Sequence, residues 1–358
     1  MSLNYKTILI TGGAGFVGSN LAINFKKHFP KLEIITLDNL KRRGSELNLK
    51  RLKNFGIKFI HGDIRNKEDL ELDQKIDLVI ECSAEPSVLS GINSSLSYLI
   101  NTNLIGTINC LELARKNKAD FIFLSTSRVY PISYLNNLKF EEEKTRFTLE
   151  KDQKIPGASE NGINENFPLD KARSFYGATK LASELLIKEY VQLYKIRAVI
   201  NRCGIITGPW QMGKVDQGII VYWIASHIFE KPLSYIGWGG KGKQVRDILH
   251  IDDLFNLILA QIKDFDRVNN ETFNVGGGLK NSLSLLELTD LARKLTGKSF
   301  KIQSIKKTRP ADVRIYISDC FKIKTHLGWE IKKDLFTTLE EITKWIKDNK
   351  EKLIYLFK

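Results

Sequence analysis

Short apolar runs alternate along the chain with longer segments in which apolar residues recur at helical spacing. The short runs are rich in Ile, Leu, Val and Phe and predict strands buried on both faces, whereas the longer segments predict amphipathic helices. Strands that alternate with helices are typical of a parallel sheet covered by helices on both faces. We predict strands near residues 7–11, 33–38, 58–62, 78–82, 121–125, 197–202 and 272–275.

Two later helices and one long connection are also predicted. A capping box from Ser284 to Glu287 begins an amphipathic helix that ends at Gly297, and residues 335–347 predict a final amphipathic helix. The segment 134–174 is polar and long for a connection within a compact domain. Connections of this kind are usually lids or disordered, and we interpret this one as a lid.

The first predicted strand runs into a glycine-rich turn that opens a helix. Gly12, together with the glycine after it, permits the tight turn, Gly15 permits backbone to approach a pyrophosphate, and Gly18 lets the helix lie close to the strand. The N–H groups at the helix start and the helix dipole attract phosphates. Gly106, on a later helix, is expected to allow close packing of that helix on the sheet.

An acid at the end of the second strand strengthens the interpretation as a dinucleotide site. Asp38 lies about twenty residues beyond the glycines, where a carboxylate accepts hydrogen bonds from the adenosine ribose. A carboxylate there repels a 2′-phosphate, although Lys41, Arg42 and Arg43 follow closely and would attract one. We predict NAD as the cofactor. Asp63, after the third strand, either binds the adenine or caps the next helix.

The alternation of strands and helices weakens after Gly204. Residues 208–244 contain glycines and aromatic residues, including Trp210, Trp223 and Trp238, and form either a substrate pocket or a partly buried aromatic core. We predict an α/β protein with a Rossmann-type doubly wound parallel sheet and a smaller C-terminal substrate-binding α/β subdomain. The predicted domains are 1–204 with about 244–276 for NAD, and about 205–243 with 277–358 for the substrate.

Composition limits the remaining classes of function. The net charge is +14, but the lysines are spread along the chain rather than gathered with aromatic residues, so we expect no nucleic-acid partner. The four cysteines lack CxxC spacing and the five histidines are scattered, which predicts no disulfide, no metal and a cytoplasmic location. No apolar run reaches membrane-spanning length and the first strand leaves no room for a signal peptide, so we expect no membrane partner.

Two motifs supply hydroxyl groups suited to catalysis. Ser125, Thr126 and Ser127 end the fifth predicted strand, at the edge where α/β sheets bind ligands. Tyr176 and Lys180 stand at positions i and i+4 and therefore share one helix face. An adjacent ammonium stabilises phenolate and lowers the phenol pKa from about 10 toward the working pH. The groups suit hydride transfer between an alcohol and a ketone, in which Tyr176 takes the proton and Thr126 holds the oxygen.

These motifs, in this order, resemble the extended short-chain dehydrogenase/reductase superfamily of nucleotide-sugar enzymes over nearly the full chain. Two further segments, 240–253 and 309–314, also resemble the superfamily. The resemblance implies that their arginines, Arg246 and Arg309, bind the substrate diphosphate, for which a guanidinium fork is well suited. It also implies that Lys180 holds the nicotinamide ribose and that the chain forms a homo-oligomer through paired helices.

The resemblance implies two sets of binding residues. The cofactor set comprises Gly12, Gly15, Phe16, Val17, Gly18, Asp38, Asn39, Asp63, Ile64, Ser83, Asn103, Ser125, Tyr176 and Lys180. The substrate set comprises Ser127, Arg128, Gln217, Arg246 and Arg309. The chain departs from the superfamily's His-x-Ala-(Ala/Gly) pattern at residues 81–85, where Glu81 takes the place of the histidine.

Within the superfamily, the chain most resembles the CDP-paratose 2-epimerases. The resemblance is carried by the stretches 37–40, 145–147, 216–218, 242–247 and 281–288. It implies a CDP-sugar substrate of lipopolysaccharide biosynthesis, a CDP-linked 3,6-dideoxyhexose whose C2 is inverted through a transient 2-keto sugar. We hypothesise that the lid formed by residues 134–174 closes over this intermediate and excludes water.

Two alternatives remain open at this stage. A 4-epimerase of another nucleotide sugar needs the same tyrosine, lysine and hydroxyl, and a non-catalytic, RNA-binding member of the fold would have kept only the glycine turn. A sugar 4,6-dehydratase is disfavoured, because Ser127 and Arg128 stand where those enzymes place Asp-Glu.

Overall fold

The chain divides into two compact units. The computed structural model describes residues 3–92, 94–213 and 217–356. The first unit comprises Met1–Val129, Phe175–Arg202 and Phe255–Phe273, and the second comprises Tyr130–Ser174, Cys203–Leu254 and Asn274–Lys358. The second unit thus contains the 134–174 segment, which the sequence analysis placed with the first domain. The assignment of NAD and substrate to separate domains stays a prediction.

The first part of the chain follows the predicted alternation of strands and helices. Its strands are β1 (Thr7–Thr11), β2 (Glu33–Asp38), β3 (Lys58–His61), β4 (Leu78–Glu81) and β5 (Asp120–Thr126). Its helices are α1 (Phe16–His28), α2 (Leu47–Asn54), α3 (Leu96–Ile100) and α4 (Gly106–Asn117), with a π-helical turn over Asn101–Ile105.

The remainder mixes short strands with helices. From Tyr130 to Phe273 the elements are α5 (Ile132–Asn136), β6 (Phe140–Glu142), β7 (Phe147–Leu149), β8 (Ala158–Ser159), β9 (Gly162–Ile163), α6 (Phe175–Tyr194), β10 (Ala198–Cys203), β11 (Ile205–Thr207), α7 (Ile219–Ile228), β12 (Ser234–Ile236), β13 (Val245–His250), α8 (Ile251–Lys263) and α9 (Phe265–Val268). They are followed by β14 (Thr272–Val275), β15 (Ser282–Ser284), α10 (Leu285–Thr296), β16 (Gln303–Ile305), β17 (Ile315–Tyr316), α11 (Phe321–Leu327), α12 (Leu335–Asp348) and α13 (Lys350–Leu353). Across the described ranges, none of these helices combines the length and apolarity that a membrane crossing requires.

The central sheet has seven strands in the order β14-β10-β5-β4-β1-β2-β3. Strand β1 pairs in parallel with β2 on one side and with β4 on the other. All five residues of β1 are buried, because the strand is apolar on both faces and covered on both. The chain reverses its direction across the sheet between β1 and β4, and ligands of doubly wound sheets bind at the carboxyl ends of strands at such a point. The predicted doubly wound fold is confirmed.

One face of this sheet is covered by α4 and α6. Buried side chains from the strands, including Leu9, Val79 and Phe121, pack there with Leu111 from α4 and Ile187 from α6. These residues alternate along their strands with residues of the opposite face, as period-two geometry requires. The resulting core fixes α6 against the sheet, and α6 is the helix that carries Tyr176 and Lys180.

Gly106 approaches a loop rather than the sheet. A Cβ atom at position 106 would stand 2.5 Å from the Cδ1 atom of Ile64, which is buried beneath the start of α4. The prediction of a close helix–sheet contact at Gly106 is therefore wrong. The missing side chain instead makes room for Ile64, a long-range partner that the local sequence does not reveal.

The 134–174 segment is an integral part of the second unit. It forms α5 and the two hairpins β6–β7 and β8–β9, with Phe147, Leu149 and Phe167 buried. Its Thr145 hydroxyl donates to Glu287 in α10 at 2.8 Å. The sequence analysis assigned no strands to this segment, because strands of two or three residues are too short for periodicity to detect. That the segment closes over an intermediate stays a prediction.

The tryptophans of the 208–244 region include core residues of the second unit. Trp223 is 2% exposed, donates from Nε1 to the Thr289 hydroxyl at 3.0 Å and stacks on Tyr235. For Trp223 the aromatic-core interpretation therefore holds. The ring centroid of Trp238 instead lies 4.4 Å from the guanidinium carbon of Arg314. Arg314 belongs to the segment 309–314, which contains the predicted substrate residue Arg309.

The predicted capping box of α10 is present. The Ser284 hydroxyl accepts from the Glu287 amide at 3.0 Å, and the Glu287 carboxylate accepts from the Ser284 amide at 2.8 Å. The helix ends at Gly297, which adopts φ 70°. Ser284 also donates to the Thr145 carbonyl and so joins α10 to the segment before β7.

We expect Ser284→Ala to lower the free energy of unfolding by about 1–2 kcal/mol, because the helix loses its cap and Thr145 loses its donor. Ser299→Ala removes an exposed hydroxyl beyond the same helix and should stay within about 0.5 kcal/mol of wild type. Urea denaturation followed by circular dichroism measures both. Equal losses in the two variants would contradict the capping role.

Candidate active site

The glycine turn of the first unit is built by close backbone contacts. Gly12 adopts φ 63°, and a Cβ there would stand 2.8 Å from the carbonyl carbon of Cys82. A Cβ on Gly18 would stand 2.8 Å from the Cα of Gly13, so any side chain would push α1 away from β1. Gly15 is the N-cap of α1, which has no side-chain cap and no acid in its first turn. Its first amides, from Phe16 and Val17 onward, suit a pyrophosphate.

Asp38 is held beside this turn by two backbone amides. Its carboxylate accepts from Ala14 N at 3.1 Å and from Leu40 N at 2.8 Å. Burial raises the pKa of Asp38, whereas these amide bonds lower it. Lys41, one of the cations that would attract a 2′-phosphate, has its Nζ 3.0 Å from the ring centroid of Tyr98. Lys41 is thus held by a cation–π contact with Tyr98.

Asp63 forms a charged cluster with its neighbours. Asn39 Nδ2 donates to its carboxylate at 2.8 Å, and Arg65 Nη2 lies 2.6 Å from the same oxygen. Burial raises the pKa of Asp63, but the bonds from Arg65 and Asn39 outweigh it and bring the pKa to about 2. Asp63 also accepts from the Arg65 backbone amide in a local turn, and the next helical turn, Glu68–Leu70, has Lys67 rather than Asp63 at its N-cap. Its contact with adenine stays a prediction.

Asn103 links the loop after β4 to helix α6. Its Oδ1 accepts from Glu85 N at 2.8 Å, and its Nδ2 donates to Glu85 O at 3.1 Å and to Thr179 Oγ1 at 3.3 Å. Ser83 lies in this loop, and its amide nitrogen would be 2.9 Å from a Cβ on Gly12. The structure therefore brings the predicted cofactor residues Ser83 and Asn103 to the same crevice as the glycine turn.

The predicted reacting groups lie on adjoining elements of the first unit. Helix α6 packs against β5 and the turn that follows it. Tyr176, Lys180 and Thr126 are 8%, 1% and 7% exposed. The Nζ of Lys180 lies 3.8 Å from the ring centroid of Phe123, and Thr126 Oγ1 accepts from the Arg128 amide at 3.2 Å. A buried phenol one helical turn from a buried ammonium is the arrangement that stabilises phenolate.

A buried ion pair supports these groups and was missed by the sequence analysis. Glu184 in α6 and Arg202 in β10 approach to 2.7 Å, with side chains 2% and 5% exposed. The Ser125 hydroxyl donates to the same Glu184 at 2.5 Å. Glu184 lies eight residues after Tyr176, on the face that carries Lys180, so helical periodicity would have indicated that it points inward.

The predicted substrate residues are divided between the two units. Ser127 and Arg128 belong to the first unit, immediately after β5. Gln217, Arg246 and Arg309 belong to the second. All five are partly buried. Asp216, from one of the stretches that carried the resemblance, lies outside the described residues.

Arg246 is held rigidly within the second unit. Its guanidinium donates to Val245 O at 2.7 Å, to Val313 O at 2.6 Å and to the Asp312 carboxylate at 3.1 Å. Arg309 shares the same loop, since its carbonyl accepts from the Asp312 amide at 3.3 Å. Arg314 completes the cluster, with its guanidinium carbon 3.8 Å from the Phe140 ring centroid. Of the three arginines, Arg246 thus pairs with the Asp312 carboxylate, whereas Arg309 meets Asp312 through its backbone carbonyl and Arg314 packs on aromatic rings.

One histidine and two acids of the second unit lie close together, and their side chains are of types that bind metal ions. Ligand atoms of His250, Asp252 and Glu341 lie within 4.8 Å of one another. Lys333 already provides a cation there, since it pairs with Glu341 and lies 3.7 Å from Asp252. His250 Nδ1 accepts from the Asp252 amide, so Nε2 carries the proton and faces Glu341 at 3.2 Å. Lys333 thus balances the two acids, whereas among the described residues none hydrogen-bonds to His250 Nε2. The absence of a metal stays a prediction.

The chain matches a known protein family. Residues 8–276 match the sequence model of the NAD dependent epimerase/dehydratase family. The chain belongs to that family. It is therefore an enzyme that uses NAD, which confirms the predicted superfamily and cofactor. The glycine cradle described above fits the dinucleotide.

Three proteins illustrate the range of the family. CDP-paratose 2-epimerase of Salmonella typhi is 31% identical over 94% of this chain and 98% of its own length. UDP-glucuronate 4-epimerase of Thermodesulfobacterium geofontis is 29% identical over 96% and 97% of the two chains. The crystal structure of a UDP-glucuronic acid 4-epimerase from Bacillus cereus, in complex with UDP-glucuronic acid and NAD, has a TM-score of 0.78 at 27% identity. It covers 96% of this chain and 99% of that one.

We expect Gly18→Ala to raise the NAD dissociation constant at least about tenfold, because a Cβ there displaces the start of α1 from the glycine turn. Calorimetric titration of protein freed of NAD measures the change. Lys27→Ala, at the exposed end of the same helix, serves as the control and should bind NAD as wild type does. Wild-type affinity in the Gly18 variant would show that α1 does not approach the dinucleotide.

Proposed function

We propose that the protein inverts C2 of a CDP-linked 3,6-dideoxyhexose and converts CDP-paratose to CDP-tyvelose. The observation that carries the proposal is its 31% identity to CDP-paratose 2-epimerase of Salmonella typhi over 94% of the chain. The buried Tyr176, Lys180 and Thr126 supply the groups that an alcohol–ketone interconversion needs. These two lines of support are independent, since one concerns the substrate and the other the chemistry.

The residues of the chain provide the proton chemistry. The C2 hydrogen has no adjacent carbonyl and is not acidic enough for a side chain to remove as a proton. Bound NAD supplies the acceptor and later the donor of hydride. Tyr176 removes the C2 hydroxyl proton and returns it after the 2-keto sugar has turned over. Thr126 Oγ1 already accepts from the Arg128 amide, so its proton donates to the substrate oxygen.

We assign the cofactor to the first unit and the nucleotide sugar to the second. The first unit holds the glycine turn for the pyrophosphate and Asp38 for the adenosine ribose. The second holds Arg246 and Arg309 for the diphosphate and Gln217 for the sugar. The carbonyls around Arg246 orient its guanidinium plane before substrate arrives, which lowers the entropic cost of binding. The free cysteines support a cytoplasmic location.

Inversion at C4 of another nucleotide sugar is the second candidate. The relatives from Thermodesulfobacterium geofontis and Bacillus cereus are named as 4-epimerases of UDP-linked sugars. The same tyrosine, lysine and hydroxyl serve either carbon, so the identity of the inverted carbon depends on how the sugar is held. A non-catalytic, RNA-binding role is disfavoured because the family is one of enzymes.

Incubation of the purified holoenzyme with CDP-paratose should produce CDP-tyvelose, as followed by proton NMR. Tyr176→Phe should lower kcat by about 10²–10⁴-fold while NAD remains bound, because the proton acceptor is lost. Tyr355→Phe, an exposed tyrosine of the second unit, is the control and should turn over normally.

Conversion of a UDP-sugar at C4, without action on CDP-paratose, would contradict the proposal and support the second candidate. Normal turnover by Tyr176→Phe would instead exclude the assigned mechanism for either substrate.

We further propose that two copies associate through α4 and α6, which pack side by side in the first unit. Leu185 and Leu193 of α6 are 60% and 67% exposed, and Ile105 before α4 is 38% exposed. Exposed aliphatic residues on neighbouring helices favour a partner helix pair. No nucleic acid or membrane partner is part of the proposal.

We expect Leu185→Glu to shift the protein from dimer to monomer in sedimentation experiments, because the charge would be buried in the interface. Phe321→Glu, at a 70% exposed position of the second unit, should leave the oligomeric state unchanged. A monomeric wild type, or equal behaviour of the two variants, would contradict this interface.

A further inference from the structure

A carboxyl group is buried at the centre of the sheet. Glu81 ends β4 and is 0% exposed. It stands between Thr11 of β1 and Phe123 of β5, its register partners on either side. Among the residues that the structure describes, none hydrogen-bonds to its Oε2. The proposed mechanism so far gives this group no task.

The single hydrogen bond of Glu81 indicates a protonated carboxyl. Thr107 Oγ1 lies 2.7 Å from Glu81 Oε1 and 2.9 Å from the Asn103 carbonyl. A hydroxyl has one proton, and a backbone carbonyl only accepts. Both contacts are satisfied when Thr107 donates to Asn103 and the acid proton of Glu81 is donated to Thr107. An ionised Glu81 would compete with Asn103 for the same proton.

Glu81 lies next to the ammonium that serves Tyr176. Phe123 is the register partner of Glu81, and the Nζ atom of Lys180 lies 3.8 Å from the centroid of the Phe123 ring. Burial raises the pKa of Glu81, and attraction to Lys180 and the hydrogen bond with Thr107 lower it, with the result at about 7. Burial, and secondly the charge of Glu81, raise the pKa of the Cys110 thiol in α4 well above its usual value and keep this neighbour neutral. Among the described groups around Glu81, Lys180 is therefore the charged one.

We propose that Glu81 is a positioning residue for the Tyr176–Lys180 pair, an internal acid whose charge sets how strongly Lys180 stabilises the phenolate of Tyr176. The inference deepens the proposed function and rests on the role assigned there to Tyr176. It applies to inversion at either carbon, because the sugar is not part of the coupling.

The direction of the coupling follows from the charges. A neutral Glu81 leaves the field of Lys180 to act on Tyr176, so phenolate forms readily. When Glu81 loses its proton to solvent, its negative charge attracts Lys180 and opposes a second negative charge on the phenol. Phenolate formation in the wild type is therefore resisted above neutral pH. Removing the ionisable group should relieve this resistance.

The test is a spectroscopic titration of Tyr176 in the holoenzyme without sugar. Tyrosinate absorbance is measured as the difference between each protein and its Tyr176→Phe counterpart. In Glu81→Gln the Tyr176 titration should move to lower pH by about one pH unit, the size expected for loss of one nearby charge. Glu33→Gln, on the exposed end of β2 in the same sheet, should leave it unchanged. An unchanged titration in a folded Glu81→Gln protein would overturn the proposal and leave Glu81 a purely structural group.

A reciprocal measurement covers the case in which Glu81→Gln does not fold. Infrared spectra of the wild-type holoenzyme should show a buried carboxylic acid band that disappears near neutral pH. In Lys180→Met this band should persist to higher pH, because the ammonium that favours ionisation is gone. An identical midpoint in the two proteins would refute the coupling.

The experiments distinguish a failure of the Glu81 coupling from a failure of the proposed substrate. Coupled titrations in a protein that does not convert CDP-paratose would leave this inference standing and reject the substrate. Conversion of CDP-paratose with independent titrations would do the reverse.

Discussion

Burial of the Lys180 ammonium is the constraint on which the site depends. A charged group that is 1% exposed is tolerated only when neighbouring groups replace its hydration. An aromatic ring face, a buried acid and a phenol one helical turn away are the replacements around it. Each of them loses stabilisation if the ammonium moves, so the requirement that keeps Lys180 in place also keeps Tyr176 oriented. Stability and chemistry are thus served by the same contacts.

The surrounding scaffold holds this arrangement from two sides of the sheet. The glycine turn after β1 touches the backbone after β4, where the strand order reverses. The Glu184–Arg202 pair ties α6 to β10 and receives the hydroxyl of Ser125 at the end of β5. A buried ion pair of this kind contributes little net stability compared with apolar packing, but removal of one partner leaves an unpaired buried charge. Here the Glu184–Arg202 pair fixes the position of α6 against the end of β5.

Much of the fold was predictable because its signals are local. The strands of the sheet are continuous apolar runs, and the cap of α10 is read directly from Ser284 and Glu287. The hairpins within 134–174 were missed because their strands span only two or three residues and depend on contacts with the second unit. The partner of Gly106 was assigned wrongly for a related reason, since Ile64 is distant in sequence.

The same limit applies to the site. The glycine turn and the Tyr-x-x-x-Lys pair each lie within one short stretch, and their combination with Asp38 and the strand-end hydroxyls, in this order along the chain, identified them. Glu81 and Arg202 lie on predicted buried strands, but they act through partners more than fifteen residues away that their own neighbourhoods do not reveal. Asn103 carries a further consequence. Its one amide group hydrogen-bonds both to the loop at Glu85 and to helix α6 at Thr179, so the loop is joined directly to the helix that carries Tyr176.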